Sequence, residues 1–346
     1  METWNVKRIL DWIEAYLSDK GCGNARFSAQ WLVADTLGCS RLELYTMLDR
    51  VLTDAEREML RDYTTRRGSG EPLQYITGTC YFRFVALAVA PGVLIPRPET
   101  EVLVSEALAA LDAAFPPSGP ETSEAATLPD LSDAALVDLG DAGLFLQTEG
   151  AEPIPVAFDD DGDVVLRDDA ACEREPLVAV DLCTGSGNIA CALAKERPNL
   201  RVYATDISPE ACALARQNVE SLGLVDQVKV LEGDLGDALP ESLRGTVSLL
   251  VSNPPYIPTA ELDRIDAEVI DFEPRLALDG GADGLDVFRR ILLFAKTALR
   301  PGGVLAVELH ETCLEDACAL AKADGFKDCR IAPDLAGKPR VLIGRV

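Results

Sequence analysis

Five apolar runs of strand length recur through the C-terminal half of the chain: "LVAVDL" (177–182), "VYATDI" (202–207), "VKVLEGD" (228–234), "VSLLVSN" (247–253) and "GGVLAVEL" (302–309). Helical stretches such as "GNIACALAKERP" (187–198) and "PEACALARQNVESLG" (209–223) separate them. A strand that is apolar along its whole length is buried on both faces. Alternation with helices therefore predicts an α/β domain with a mostly parallel sheet covered on both sides. The final "CRIAPDLAGKPRVLIGRV" (329–346) predicts two more strands, a hairpin at one side of that sheet.

The N-terminal third has a different rhythm. Val6, Ile9, Leu10, Ile13 and Leu17 fall on one helical face. Further helical signals are "SAQWLVADTLG" with Ser28 as N-cap, "SRLELYTML", and "TDAEREMLRDYTTRR" with Thr53 and Glu56 in capping-box positions. "GSGEPLQYITG" reads as a connector and "TCYFRFVALAVAPGVLIP" as a hairpin. The expected organisation is a helical domain over 1–74, a hairpin linker over 75–95 and an α/β domain over 96–346. The last is interrupted by an acidic insertion at 116–176, expected to be solvated and mobile apart from a turn at "FDDDGDVV" between two short strand-like runs.

Charge and cysteine content limit the function classes. The formal charge is −26, and residues 116–176 hold 16 acidic residues against two arginines, over half of the excess. An acidic chain is ill suited to neutralising phosphates, so a nucleic-acid substrate is not expected. No apolar run approaches the roughly 18 residues of a membrane helix, so no membrane association is expected. The ten cysteines form no C-x-x-C and several lie in apolar runs, which predicts reduced thiols in a cytoplasmic protein. His310 is the only histidine, so no metal site is expected. "DDDGD" lacks the spaced ligands and distal Glu of a calcium loop and reads as an acidic turn.

Two strand ends carry chemistry. In "VDLCTGSGNIACALA", Gly185 and Gly187 allow a ligand close to the backbone at a helix N-terminus, and Asp206 ends the next strand, where a carboxylate can accept both hydroxyls of a ribose. Gly185, Gly187 and Ala190 also satisfy G-x-G-x-x-A, the dinucleotide pattern of a dehydrogenase. Asp181 can bond the turn or face a cationic ligand. Together with Asp234, which ends a third strand, these acids favour S-adenosylmethionine over a pyrophosphate. The second site is "NPPY". The Asn253 side-chain oxygen and the Pro254 carbonyl can accept both hydrogens of a planar –NH₂ group, Pro254 and Pro255 hold the backbone rigid, and Tyr256 can stack on the group and exclude water. Such a clamp suits methylation of an amide or an exocyclic amine, whose delocalised lone pair makes it a poor nucleophile.

At these residues the chain resembles class I S-adenosylmethionine-dependent methyltransferases with an (N/D)PPY motif, and among them the bacterial peptide chain release factor N5-glutamine methyltransferases. Residues 72–104, "DLCTGSGNIA", "TDISPEACALARQN", "VSNPPYIP" and "EPRLALDGGADGL" are similar to that family's segments and stand in its order. The resemblance spans nearly the whole chain except 116–176. It implies a Rossmann-like class I methyltransferase fold with a small helical N-terminal domain that helps to dock the substrate. The implied reaction is methyl transfer from S-adenosylmethionine to the glutamine amide in the Gly-Gly-Gln loop of class 1 peptide chain release factors. It further implies that Asn253 and Pro254 hold that amide, that Pro255 and Tyr256 pack beside it, and that Cys183, Thr184, Gly185, Ser186, Gly187, Asp206, Asp234, Leu235 and Asn253 line the cofactor site.

The chain departs from the family at Cys183, where the broader class often has Gly, at Leu235, where some relatives carry an aromatic, and at His310, where Gly is usual. In "IPRPETE", Arg97 and Glu99 either order a loop over the cofactor or form a local salt bridge. Two alternatives stand beside the main reading. An amino-methyltransferase acting on adenine or cytosine faces the same –NH₂ problem, and a non-catalytic protein would keep the cofactor site without turnover.

Overall fold

A computed structural model describes residues 4–116, 176–265 and 267–346, and within 117–175 the backbone of four strands. The chain divides into two compact units, residues 1–114 with 177–346, and residues 115–176.

The first unit begins with helices α1 (Val6–Asp19), α2 (Ala25–Leu37) and α3 (Asp54–Gly68). The five α1 residues expected on one face are its buried residues, and Asn5 caps the helix by accepting from the Arg8 amide at 2.9 Å. Leu32 and Val33 of α2 and Leu60 of α3 complete that small core. The capping box of α3 forms, with Glu56 N 3.2 Å from Thr53 Oγ1 and Thr53 N 2.8 Å from Glu56 Oε2. Ser28 is not a cap. Helix α2 starts four residues earlier, at Ala25 after Asn24 in a left-handed conformation (φ 53°), and Ser28 is buried inside it. "SRLELYTML" yields only a short 3₁₀ turn at Glu43–Thr46. Helix α4 (Leu73–Thr77) lies in the connector and leads to the hairpin of β1 (Thr79–Phe82) and β2 (Val85–Ala88), paired from Thr79↔Ala88 to Phe82↔Val85. Residues 89–97 then run as a loop into α5 (Pro98–Ala114).

In the second unit, β3 (Ala135–Asp138), β4 (Leu144–Gln147), β5 (Ile154–Phe158) and β6 (Val164–Leu166) pair in that order as an antiparallel sheet, two strands more than the single turn expected there. The strand-like runs on either side of "FDDDGDVV" are β5 and β6; the turn expected between them at residues 159–163, and the expectation of a mobile insertion, fall outside the described residues.

The remainder of the first unit is β7 (Leu177–Leu182), α6 (Asn188–Glu196), β8 (Leu200–Asp206), α7 (Pro209–Ser221), β9 (Val228–Glu232), β10 (Val247–Ser252), α8 (Ala267–Ile270), α9 (Asp286–Ala298), β11 (Leu299–Glu308), α10 (Leu314–Ala323), β12 (Lys327–Pro333) and β13 (Pro339–Arg345). Their sheet has the order β12-β13-β11-β10-β7-β8-β9. Four neighbouring pairs are parallel, and β13 is antiparallel to both of its neighbours, so the expected terminal hairpin forms one edge. All six residues of β10 are buried, as a central strand requires. Val180, Leu250, Leu305 and Val307 pack with Phe288 and Ile291 of α9 and Leu314 of α10 on one side. Helix α5 lies against β10, β11 and β13. From β7 the chain builds outward through β8 and β9, then returns to the other side of β7 to lay down β10 and β11. That reversal leaves a crevice at the carboxyl ends of β7 and β10, where open α/β sheets bind ligands. Among the described residues no helix is long and apolar enough to cross a membrane.

Candidate active site

A cavity of about 440 Å³ opens at this crevice, within the usual range for small-molecule sites. Its floor is the turn after β7. The Gly185 amide donates to Asp206 Oδ2 at 2.8 Å, and the Thr184 amide donates to the Thr205 carbonyl at 3.0 Å, so the turn is tied to the end of β8. The Ser208 amide donates to Asp206 Oδ1 at 3.0 Å. Asp206 lines the cavity, and its carboxylate keeps acceptor capacity beyond these amides. Burial raises the Asp206 pKa and these amides oppose the rise.

Asp181 serves the turn. It is fully buried, accepts from the Thr184 hydroxyl at 2.6 Å through Oδ2, and does not line the cavity. Its Oδ1 has no partner among the described residues, and burial pushes its pKa up to about 7. Cys183 has φ 61°, a left-handed conformation that glycine adopts without strain, which gives a physical reason for the glycine common at this position. Burial and then Asp206 push its thiol up, so it is a poor nucleophile. Gly187 stays outside the cavity. A Cβ there would lie 3.1 Å from Ala215 Cβ, so this glycine lets α6 pack close to α7.

Cys183, Thr184, Gly185 and Ser186 all line the cavity, as do Asp206, Asp234, Leu235 and Asn253. Asp234 is paired with Arg290 of α9, 2.8 Å from its Oδ2. The facing wall comes from residues 92–97 and Thr100.

The Asn253 side chain has a defined orientation. Its Nδ2 donates to Thr100 Oγ1 at 3.1 Å, which leaves Oδ1 as an acceptor with no partner among the described residues. Pro255 lines the cavity, whereas Pro254 is buried and is not among the lining residues. Tyr256 also lies outside the cavity lining, and its hydroxyl donates to Glu308 Oε1 at 3.2 Å. Burial and Glu308 push the phenol pKa up, so it remains a neutral donor. The "DGGADGL" segment braces this stretch. The Ile257 amide donates to the Leu278 carbonyl at 2.9 Å and the Gly280 amide donates back to Ile257 at 2.8 Å. A Cβ on Gly280 would fall 2.6 Å from Tyr256 Cα, and one on Gly284 2.4 Å from the Tyr256 carbonyl oxygen. Only glycine permits that approach.

Arg97 pairs with Glu273, 176 positions away, rather than with the neighbouring Glu99. The contact joins the loop before α5 to the segment after α8, and both line the cavity, the latter through Pro274, Leu276 and Ala277. The His310 ring lies 6.4 Å from that of Tyr256, bonds Thr312 Oγ1 at 2.8 Å, and is outside the cavity lining.

Sequence reasoning missed Thr100, Arg290 and Glu308. Thr100 and Arg290 reach the site only through tertiary packing. Glu308 carried a usable signal, being a fourth acid at the end of an apolar run. Chemically, the arrangement combines a cavity with a carboxylate poised for a diol and, on its wall, a fixed amide oxygen able to accept from an –NH₂ group.

Two family models match the chain, the PrmC N-terminal domain over residues 8–78 and the methyltransferase small domain over residues 166–272. The release factor glutamine methyltransferase of Geobacter sulfurreducens is 37% identical over 345 residues, covering 100% of this chain and 98% of that protein. Its namesake from Streptomyces coelicolor is 36% identical, with 95% of this chain and 94% of that protein aligned. The one from Rhodopirellula baltica is 34% identical, with 98% and 95% aligned.

Proposed function

The chain belongs to the release factor glutamine methyltransferase family, and from that premise we propose that it transfers a methyl group from S-adenosylmethionine to the side-chain amide nitrogen, N5, of the glutamine in the Gly-Gly-Gln loop of class 1 release factors. The observation that carries this reading is the Asn253 amide, held through Nδ2 by Thr100 so that Oδ1 is free to accept from the substrate –NH₂.

The residues present fit the cofactor. Asp206 faces the cavity with lone pairs for a ribose diol, Gly185 keeps the floor low, and Leu235 offers an apolar wall for an adenine. Bound S-adenosylmethionine supplies a methyl carbon on a positively charged sulfur. Asn253 Oδ1 and the Pro254 carbonyl hold the two hydrogens of the glutamine amide, which fixes the direction of the nitrogen lone pair. Transfer of that methyl group would place growing positive charge on the amide nitrogen. The Asn253 oxygen, its direction fixed through Thr100 before reaction, stabilises that charge, and the Pro254 carbonyl completes the clamp. The N–H proton becomes acidic once the bond has formed, so no strong base is required. Tyr256, held by Glu308, packs behind the clamp and keeps its backbone in place.

The test is incubation of the protein with methyl-labelled cofactor and, in parallel, a class 1 release factor, the same factor with its loop glutamine changed to alanine, DNA and RNA. Label on the native factor alone supports the reading. Label on nucleic acid with none on the factor overturns it in favour of a base amino-methyltransferase.

A further inference from the structure

Two buried side chains outside the cavity hold its opposite sides together. Asn218 of α7 is 0% exposed, and its amide is fully engaged. Its Oδ1 accepts from the Ala88 amide at 2.7 Å, and its Nδ2 donates to the Ala88 carbonyl at 3.0 Å and to the Ser186 carbonyl at 2.9 Å. Ser186 belongs to the cavity floor, and Ala88 ends β2, four residues before the facing wall begins at Gly92. One amide thus ties the floor to the root of the wall.

Tyr75 of α4 fastens the same wall further along. Its hydroxyl donates to the Val93 carbonyl at 2.7 Å, and its ring packs with Val89 and Ile95 of the loop before α5 and with Phe272. Val93 and Ile95 both line the cavity. Val93 also packs on Ala211 and Leu214 of α7, the helix that carries Asn218, and its Cγ1 lies 4.0 Å from where a Cβ on Gly185 would stand. Leu73 and Ile76 of α4 belong to the core of the helical bundle, so the wall is anchored to that bundle as well as to α7.

We propose that Asn218 and Tyr75 are positioning residues for S-adenosylmethionine, which set the distance between the turn at 183–186 and the wall at 92–97 and hold the cleft at one width before the cofactor arrives. The inference rests on the reading of this cavity as the S-adenosylmethionine site. A cleft fixed beforehand binds more tightly, because binding does not have to order it. Asn218 accepts once and donates twice from a single planar group, a combination that a carboxylate of the same shape cannot supply. Without the Tyr75 hydroxyl the buried Val93 carbonyl loses this donor, and the loop gains by moving until that carbonyl meets water.

The experiment measures the Kd of S-adenosylmethionine by calorimetry, and the Tm, for wild type, Tyr75→Phe, Asn218→Asp and Ile13→Val. Tyr75→Phe removes one hydroxyl and keeps the ring. Asn218→Asp keeps the shape and leaves at most one proton for the two carbonyls. Ile13→Val is the control, since it thins the helical core at a fully buried position of α1 that does not line the cavity. Tyr75→Phe is expected to raise Kd about 5- to 10-fold and Asn218→Asp at least about 10-fold. Ile13→Val should lower Tm and leave Kd within about twofold of wild type. The proposal is overturned if Tyr75→Phe keeps Kd within about twofold of wild type, or if Ile13→Val raises Kd as far as Tyr75→Phe does, because the bond then serves stability alone. Should Asn218→Asp not fold, Tyr75→Phe decides. Wild type that does not bind S-adenosylmethionine overturns the functional reading and the proposal with it, whereas wild type that binds beside an unaffected Tyr75→Phe overturns the proposal alone.

Discussion

Arg97 Nη2 lies 2.7 Å from one carboxylate oxygen of Glu273 and 2.6 Å from the other, joining two loops that wall the same cavity. Glu273 is 6% exposed, so its charge depends on this partner. Breaking one side of a buried pair strands the other charge, which costs more than the intact pair contributes. Because Arg97 is partly exposed, we expect Arg97→Ala to lose about 1–3 kcal/mol of stability and to weaken cofactor binding. Urea unfolding and calorimetric titration check this; unchanged values in both would show that the loops hold together without the pair.

Gly284 and Gly302 share φ 78°, yet a Cβ on Gly284 would strike the Tyr256 carbonyl at 2.4 Å whereas one on Gly302 meets nothing within 4 Å. The pair separates backbone strain from collision. Gly302→Ala should cost about 1 kcal/mol and keep activity. Gly284→Ala should cost more and reduce kcat at least about tenfold, because the "NPPY" backbone must shift. Equal activity in the two variants would mean that the glycine segment does not brace the clamp.

Arg67 of α3 donates to Glu268 Oε1 at 2.8 Å and to Oε2 at 3.2 Å, linking the helical bundle to the segment that follows the clamp. Replacement by Met keeps the apolar stem without the charge. We expect KM for the release factor to rise about five- to tenfold while cofactor affinity stays within about twofold of wild type. Steady-state kinetics with varied factor concentration, beside calorimetry with the cofactor, give the answer.

Asp181 makes stability depend on pH. Its folded pKa of about 7 exceeds the ~3.9 of an unfolded aspartate, so the folded state binds the proton more tightly. Stability from this group is present below pH ~4 and is lost as pH rises through about 7. Asp181→Asn does not titrate, so relative to wild type it should gain on the order of 2 kcal/mol between pH 5 and pH 8. Urea unfolding of both proteins at the two values measures the change. A constant difference would mean that Asp181 is ionised throughout.

The sheet was legible because its central strands are apolar on both faces, a pattern that surface loops do not carry. Cys183, Gly185, Asp206, Asp234 and Asn253 were legible because a parallel sheet gathers strand ends at one edge, so that order in the sequence becomes adjacency in space. Thr100 and Arg290 were not, because each sits in a helix whose own pattern reports only burial. Arg97 invited a local partner in Glu99, and only tertiary packing supplied Glu273. Ser28 is not the cap because the helix begins after Asn24, whose left-handed backbone, with no side-chain cap bond, is not revealed by spacing. In the insertion, strands of three to five residues among many acids gave too short an alternation to read beyond one turn.

The most direct measurement of the central claim is fragment mass spectrometry of the release factor after reaction with wild type and with Asn253→Ala. The account predicts one added methyl on the side-chain nitrogen of the loop glutamine with wild type. With Asn253→Ala the yield should drop by about 100-fold or more while cofactor binding is retained. A methyl on another residue, or undiminished transfer by Asn253→Ala, would contradict the assignment of Asn253 as the clamp for the glutamine amide.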